Sequence, residues 1–319
     1  MTRMLAAVTA LALIWAGTWA FMAWSLRGDI ETWFDDRRAE GWAAEYADLT
    51  VRGFPNRLDV TLSDIVLANP QSGTVWEAPF FQMFRLIYRP GHHILAFADT
   101  QQLGFDGKTY DLSSEGLRAS VISDAEGRIL RTNIEGQTLN ISDRDGTLAL
   151  AGFALGVSRA ERAESYLLGL GIDGVAGPHS SIASGTAQAV TLRAVVDFDR
   201  PWSLPPQAHQ PQPQRLDIRL AEFRANPLDL KLTGAVDLDP TGRATGDITL
   251  RADNWREGIA RAKANNTVPD WLADLAETGL GAVAALGNGT SLDVTVQIEN
   301  GQARLGLLPL GTLPLLRLP

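Results

Sequence analysis

A chain of 319 residues with a net charge of -9 is long enough for one large or two modest cores. Its acidity excludes a nucleic-acid partner, because phosphate backbones need a basic surface. Four histidines and no cysteine remove thiolate redox chemistry and most transition-metal sites, while leaving the compartment open, since exported proteins need not carry disulfides.

The first element is "LAAVTALALIWAGTWAFMAWSL", Leu5 to Leu26, which carries no charge. As a helix it measures about 33 Å at ~1.5 Å per residue, enough for the hydrocarbon of a bilayer. Arg3 and the free amine precede it, and Trp19 and Trp24 lie toward its far end, where indoles favour an interface. Residues 1–27 therefore read as a single-pass anchor with its amino terminus inside. A signal peptide cleaved after "TWA", ending at Ala20, is the alternative. On either reading the bulk of the chain is exported, and in a Gram-negative cell it occupies the periplasm.

Residues 28–48 place Ile30, Trp33, Phe34 and Arg37 at three- and four-residue steps, which predicts a juxtamembrane helix bent or broken near Gly41. From Leu49 the dominant period becomes two. In "GFPNRLDVTLSDIVL", 53–67, Leu58, Val60 and Leu62 share one face, with Asp59, Thr61 and Ser63 on the other. Phe84, Leu86 and Tyr88 alternate before Pro90-Gly91, and Leu117, Ala119 and Val121 before Glu126-Gly127. Leu139 and Ile141 meet Leu148 and Leu150 across Asp145-Gly146, a hairpin signal. "SRAERAESYLLGLG", 158–171, has the composition of a short surface helix.

"DRPWSLPPQAHQPQPQ", 199–214, cannot sustain regular structure, so it separates a first β-rich half, 49–198, from a second, 215–319. Alternation returns at Leu192–Phe198, which precedes that connector, and then at Leu216–Leu220, Leu228–Leu238 and Ile248–Leu250. Leu292, Val294, Val296 and Ile298 lead into Asn300-Gly301, a second strong hairpin. Between these strands, 254–286 reads as two helices divided at Val268-Pro269. The fold class is thus mainly β with some α: an amino-terminal transmembrane helix, then long curved antiparallel sheets with a few covering helices.

No catalytic constellation emerges. His92 and His93 adjoin on a strand and so face opposite ways, and His179 and His209 are isolated in polar loops. No G-x-S-x-G is present, "GLGIDGVAG" lacks a phosphate-loop lysine, and pairs such as Asp143 with Asp145 suit turns. The reading assigns no catalytic residue, no metal and no cofactor. The densest aromatic stretch is "WEAPFFQMFRLIY", 76–88, readable as an apolar wall or as core.

The run "GFPNRLDVTLSDIVLANPQSGTVWEAPFFQMFRLIYRPGHHI", 53–94, with "GDITLRADNW", "VPDWLADL" and "NGQARLGLLPLGTLPLL", resembles the bacterial envelope family designated domain of unknown function 2125. The tail is more weakly similar to AsmA-like and YdgA-type periplasmic proteins. That resemblance implies membrane-anchored envelope proteins with long curved sheets, associated with lipid handling, and carries no ligand motif. The expected function is non-enzymatic: an inner-membrane-anchored periplasmic protein that binds or conveys lipid. Leu58, Val60, Leu62, Trp76, Phe80, Phe81 and Phe84 are its candidate apolar lining, with acyl chains or an envelope protein as partner. A structural scaffold is the second reading and a hydrolase using acidic residues the third.

Overall fold

The computed structural model describes residues 1–105, 107–177, 188–204, 210–225, 228–255, 257 and 291–318. By tertiary contact the chain falls into two units, Met1–Ile122 and Ser123–Pro319. The predicted connector at 199–214 therefore lies inside the second unit. There Asp199 and Gln212 hold its ends together, backbone N–H of Asp199 to the Gln212 carbonyl at 2.9 Å.

In the first unit the anchor and the juxtamembrane helix are one element, α1 (Thr2–Ala39). It ends nine residues short of the expected boundary at 48. Gly41 adopts φ +89, a conformation that stops a helix, and β1 (Ala43–Glu45) follows with Ala44 turned inward. Seven more strands complete the unit: β2 (Asp48–Arg52), β3 (Arg57–Asn69), β4 (Thr74–Leu86), β5 (Arg89–Phe97), β6 (Thr100–Phe105), β7 (Lys108–Glu115) and β8 (Arg118–Ser123). All pairings are antiparallel, with β3 against β1, β2 and β4, and β4 against β5 and β6.

Strand β3 shows how the core is phased. Leu58, Val60 and Leu62 alternate onto one face; Asp64, at φ 47, then shifts the phase so that Ile65 and Leu67 return to it. One residue of irregularity keeps the whole strand's apolar set on one side. Against that side pack Ala23, Leu26 and Phe34 of α1, together with Leu49 of β2.

Hydrogen bonds fasten α1 to the sheet along its length. Trp15 Nε1 donates to the Pro55 carbonyl at 3.0 Å and Trp19 Nε1 to that of Arg57 at 2.7 Å. Farther along, Arg27 donates to the Leu49 carbonyl at 3.0 Å and Arg38 to that of Ala44 at 2.7 Å. Trp19 also meets Phe54 edge-on at 5.6 Å. A Trp19→Phe substitution keeps the ring contact but deletes the donor. It is expected to cost about 1 kcal/mol and lower the melting temperature by about 4 °C in detergent. An unchanged melt would show that the bond carries no weight.

The second unit contains β9 (Ile129–Asp143), β10 (Gly146–Arg159), β11 (Ser165–Ile172), β12 (Gly174–Ala176), β13 (Gln188–Phe198), β14 (Pro213–Ala225), β15 (Leu228–Leu238), β16 (Ala244–Asp253), β17 (Ser291–Glu299), β18 (Gln302–Leu305) and β19 (Leu308–Thr312). Both hairpin signals hold. Asp143 Oδ1 caps the turn before Gly146, and Asn300 (φ 51) with Gly301 (φ 78) turns β17 into β18. The expected helix at 158–171 is instead the end of β10, a turn and β11. Tyr166, Leu168 and Leu170 share one face there, so period two prevails over helical composition. The predicted helical pair at 254–286 lies outside the described residues, apart from its first positions.

Candidate functional site

The proposed lining of the first half divides between two environments. Leu58 (0% exposed), Val60 and Leu62 lie beneath α1, meeting helix side chains rather than an open trough. Trp76 and Phe81 face the same way and stack edge-on at 5.9 Å, with Phe97 completing the cluster at 6.4 and 5.5 Å. The indole N–H of Trp76 donates to buried Gln101 at 2.9 Å, which satisfies the polar end of an otherwise apolar group. Phe80 and Phe84 sit opposite Ser63 and Asp59, on the reverse face. There Phe80 is 37% exposed and Phe84 lies under the Arg57 guanidinium, itself paired with Asp59. The seven residues therefore do not form one surface.

His92 and His93 part to opposite faces, as adjacent strand residues must. His92 bonds Ser120 Oγ at 3.1 Å. Burial, with the charges of Arg85 and His92 adding, pushes His93 below the ordinary histidine range, and its Nδ1 has no hydrogen-bond partner among the described residues. Among the described residues no group of three or more histidines and carboxylates is placed to hold a metal ion.

A continuous apolar surface does exist, in the second unit. Ile134, Leu155, Leu170 and Leu192 are successive register partners across β9, β10, β11 and β13. The row continues through Ala221, Leu232, Leu250 and Val294 on β14 to β17. All eight are half-buried. At about 4.8 Å between strands, this single row runs for about 34 Å. Beside it Val157, Leu168, Ala194, Ile218, Ile248 and Val296 make a parallel row, broken by Gly234. Rows farther out are sealed: Trp255 packs on Leu228, Ala252 and Leu292, and Leu313 lies against Val236 and Ile298.

Alternation of Leu192–Phe198, Leu228–Leu238 and Leu292–Ile298 announces these strands individually. Their alignment into rows does not follow from it, because the row depends on a bulge in β14. There Ile218 pairs with Gly234 but the next apolar contact is Ala221 with Leu232, so Leu220 leaves the face on which simple alternation puts it.

Several described carboxylates of this unit are engaged in structural pairs. Asp124 bonds Arg128 at 2.8 Å and Arg159 at 3.4 Å, and Asp197 accepts from Ser165 at 2.5 Å and pairs with Arg162. In the first unit, α1 is long and apolar enough to cross a membrane, and residues 1–15 are exposed.

Comparison with known proteins adds one finding. A family model described as an uncharacterized protein conserved in bacteria matches residues 19–314. No curated protein and no solved structure matches the chain, so the weaker likeness to AsmA-like and YdgA-type proteins is not shown.

Proposed function

The chain belongs to the bacterial family designated domain of unknown function 2125, and from that premise we propose that it is a membrane-anchored lipid-binding protein of the cell envelope. In this reading α1 crosses the inner membrane once and the sheets lie in the periplasm. Acyl chains rest on the half-buried apolar rows of the second unit. The protein binds or conveys its ligand and performs no chemistry on it.

The observation that carries the reading is the eight-strand apolar row. Hydrocarbon binding needs buried area, at ~25 cal/mol per Å² of apolar surface, and no convergent polar groups. A face left half-buried over eight strands supplies that area, with Leu250 and Val294 at one end tucked against the Trp255 cluster. The carboxylates tied into ion pairs favour binding over catalysis, because acid-base work needs positioned titratable groups that are free to exchange protons.

The anchor's geometry agrees with this placement. A bilayer's hydrocarbon takes about 20 helical residues, yet the Gly53–Pro55 corner already touches α1 at Trp15 and Trp19. Only the fourteen residues before Trp15, ~21 Å of helix, precede that contact. In this reading the corner dips into the outer part of the bilayer with Phe54, 57% exposed, beside these indoles.

Replacing Leu232 and Leu250 together by Glu tests the reading. Both are half-buried toward the β17 end of the row, so the charges reach solvent and circular dichroism should stay native. The lipid recovered from the purified full-length protein is expected to fall at least fivefold. Lipid recovered at wild-type levels from the folded variant would remove the acyl-chain assignment, and a wild-type protein free of lipid would favour the scaffold.

A further inference from the structure

The reverse of the same sheet carries a feature that acyl chains do not use. Arg131 on β9, Arg193 on β13 and Arg219 on β14 line one open trough of about 340 Å³. Its floor is bare backbone. Gly156 and Gly169 are cross-strand partners on β10 and β11, in the row that runs from Asn133 to Arg193. A Cβ built on Gly169 would meet nothing closer than the Gly156 carbonyl at 4.0 Å, so the floor is open space and not packed interior. Arg131 enters from one wall, and Arg193 and Arg219 from the other, with backbones about 14–19 Å apart at the usual strand spacing.

Arg219 is here because of the bulge that re-phases the apolar face. Between Ile218 and Ala221 the chain of β14 carries two residues where β15 carries one, and β13 pairs Arg193 with Leu220. Arg219 is the additional residue, turned to the side of Arg193. The three arginines make no ion pair or hydrogen bond among the described residues, although the protein has 37 acids against 28 lysines and arginines. Glu222 is committed to Lys231 at 3.3 Å and Arg224 at 3.7 Å, and Glu135, which shares its face of β9 with Arg131 and Asn133, does not line the trough. Three like charges around one concavity repel each other until an anion enters, and guanidinium forks match phosphate oxygens two at a time.

We propose that this trough binds a phosphate-bearing anion of about diphosphate size, whether free or as the headgroup of a lipid. The volume exceeds what one phosphate needs, at ~30 Å³ per displaced water, and three separated guanidiniums suit two phosphoryl groups better than one. Asn133 and Ser158 line the same trough and supply neutral hydrogen-bonding groups beside the charges. The site is distinct from the acyl-chain assignment, since its arginines and glycines alternate away from the eight-residue row, although Val157, Leu168 and Ala194 of the neighbouring apolar row also border the trough. Either can fail alone.

The test uses the full-length chain in an uncharged detergent. Pyrophosphate is titrated calorimetrically, and phosphatidic acid or phosphatidylcholine is doped into the micelles and read by native mass spectrometry. Binding of pyrophosphate is expected to weaken at least tenfold when Arg131, Arg193 and Arg219 are all replaced by Gln, and to weaken as salt is raised. Gly169→Leu, which fills the floor without removing a charge, is expected to have the same effect. Both variants should melt like the wild type, because the arginines bond nothing described and Gly169 has room for a side chain. Binding of both pyrophosphate and phosphatidic acid, lost in both variants, supports a site for the shared phosphate chemistry. Retention of phosphatidic acid alone, lost in both variants, assigns the site to a lipid headgroup. A wild-type protein that binds neither probe, or folded variants that bind like it, overturns the proposal.

Discussion

Leu58→Asp is expected to unfold the first unit. Leu58 is completely buried, flanked in the same cluster by Val60, Ile65, Leu49 and the α1 residues Leu26 and Phe34. A carboxylate there is shut off from solvent even though Arg85 sits opposite it on β4, and removing the side chain also opens a leucine-sized cavity. The two effects together should cost at least about 5 kcal/mol, much of the ~5–15 kcal/mol that holds a domain folded. Leu148→Asp is the matched control. Leu148 is 38% exposed on β10, so the same change should cost under ~1 kcal/mol. Limited proteolysis of the full-length protein in detergent distinguishes them: rapid cleavage within residues 43–122 is expected for Leu58→Asp only. Equal resistance in both variants would mean that α1 does not seal this face.

That expectation reverses a natural reading of the sequence. Alternation in "LDVTLS" identifies a dry face but not what dries it. The partner is α1, whose uncharged run already reads as a candidate span, so nothing there marks Ala23 and Leu26 as sheet-facing; Phe34 lies beyond it, where its helical spacing with Ile30 and Arg37 is the one local hint. The long apolar helix, the mainly β class and both hairpins were legible because each rests on local signals: a long uncharged run, period two, and Asp-Gly or Asn-Gly at a turn. The strand at 165–172 was not, because Arg and Glu at 159–164 lend the segment a helical composition although its Tyr166, Leu168 and Leu170 alternate.

The site suffered from the same limit at longer range. Ile134 and Val294 belong to one row only through six intervening strands, and each register in between is set by backbone pairing. The arginines are harder still. Arg131, Arg193 and Arg219 are single residues on three strands, and only the bulge brings the last to the others' face. One visible signal is the pairing of small residues, since "GVS" on β10 and "GLG" on β11 leave a floor that ordinary strand residues would fill.

Gly234→Ala carries the second large effect. Gly234 on β15 has φ +142, and a Cβ there would lie 2.2 Å from the Asp247 carbonyl oxygen and 2.9 Å from Ile248 Cα. Across the pair Gly246 on β16, at φ +152, has the mirror relation, its Cβ 2.2 Å from the Ala235 oxygen. The two strands thus approach each other backbone to backbone, diagonally, in a conformation open essentially to glycine alone. Neither neighbour is a flexible side chain that could yield. Alanine at 234 should therefore cost about 3–5 kcal/mol, whereas Gly169→Ala, with open space above it and no positive φ, should change stability by under ~1 kcal/mol. Denaturant melts of the two variants compare them directly, and a Gly234→Ala midpoint within error of the wild type would show that the strands are not so close. Position also matters for function. Gly234 pairs with Ile218 at the edge of the β14 bulge, where the apolar row changes phase and Arg219 leaves it for the opposite face. A mild denaturant concentration that leaves Gly234→Ala folded should accordingly show weakened binding on both faces at once, because one local bend sets the register of the row and the aim of the arginine.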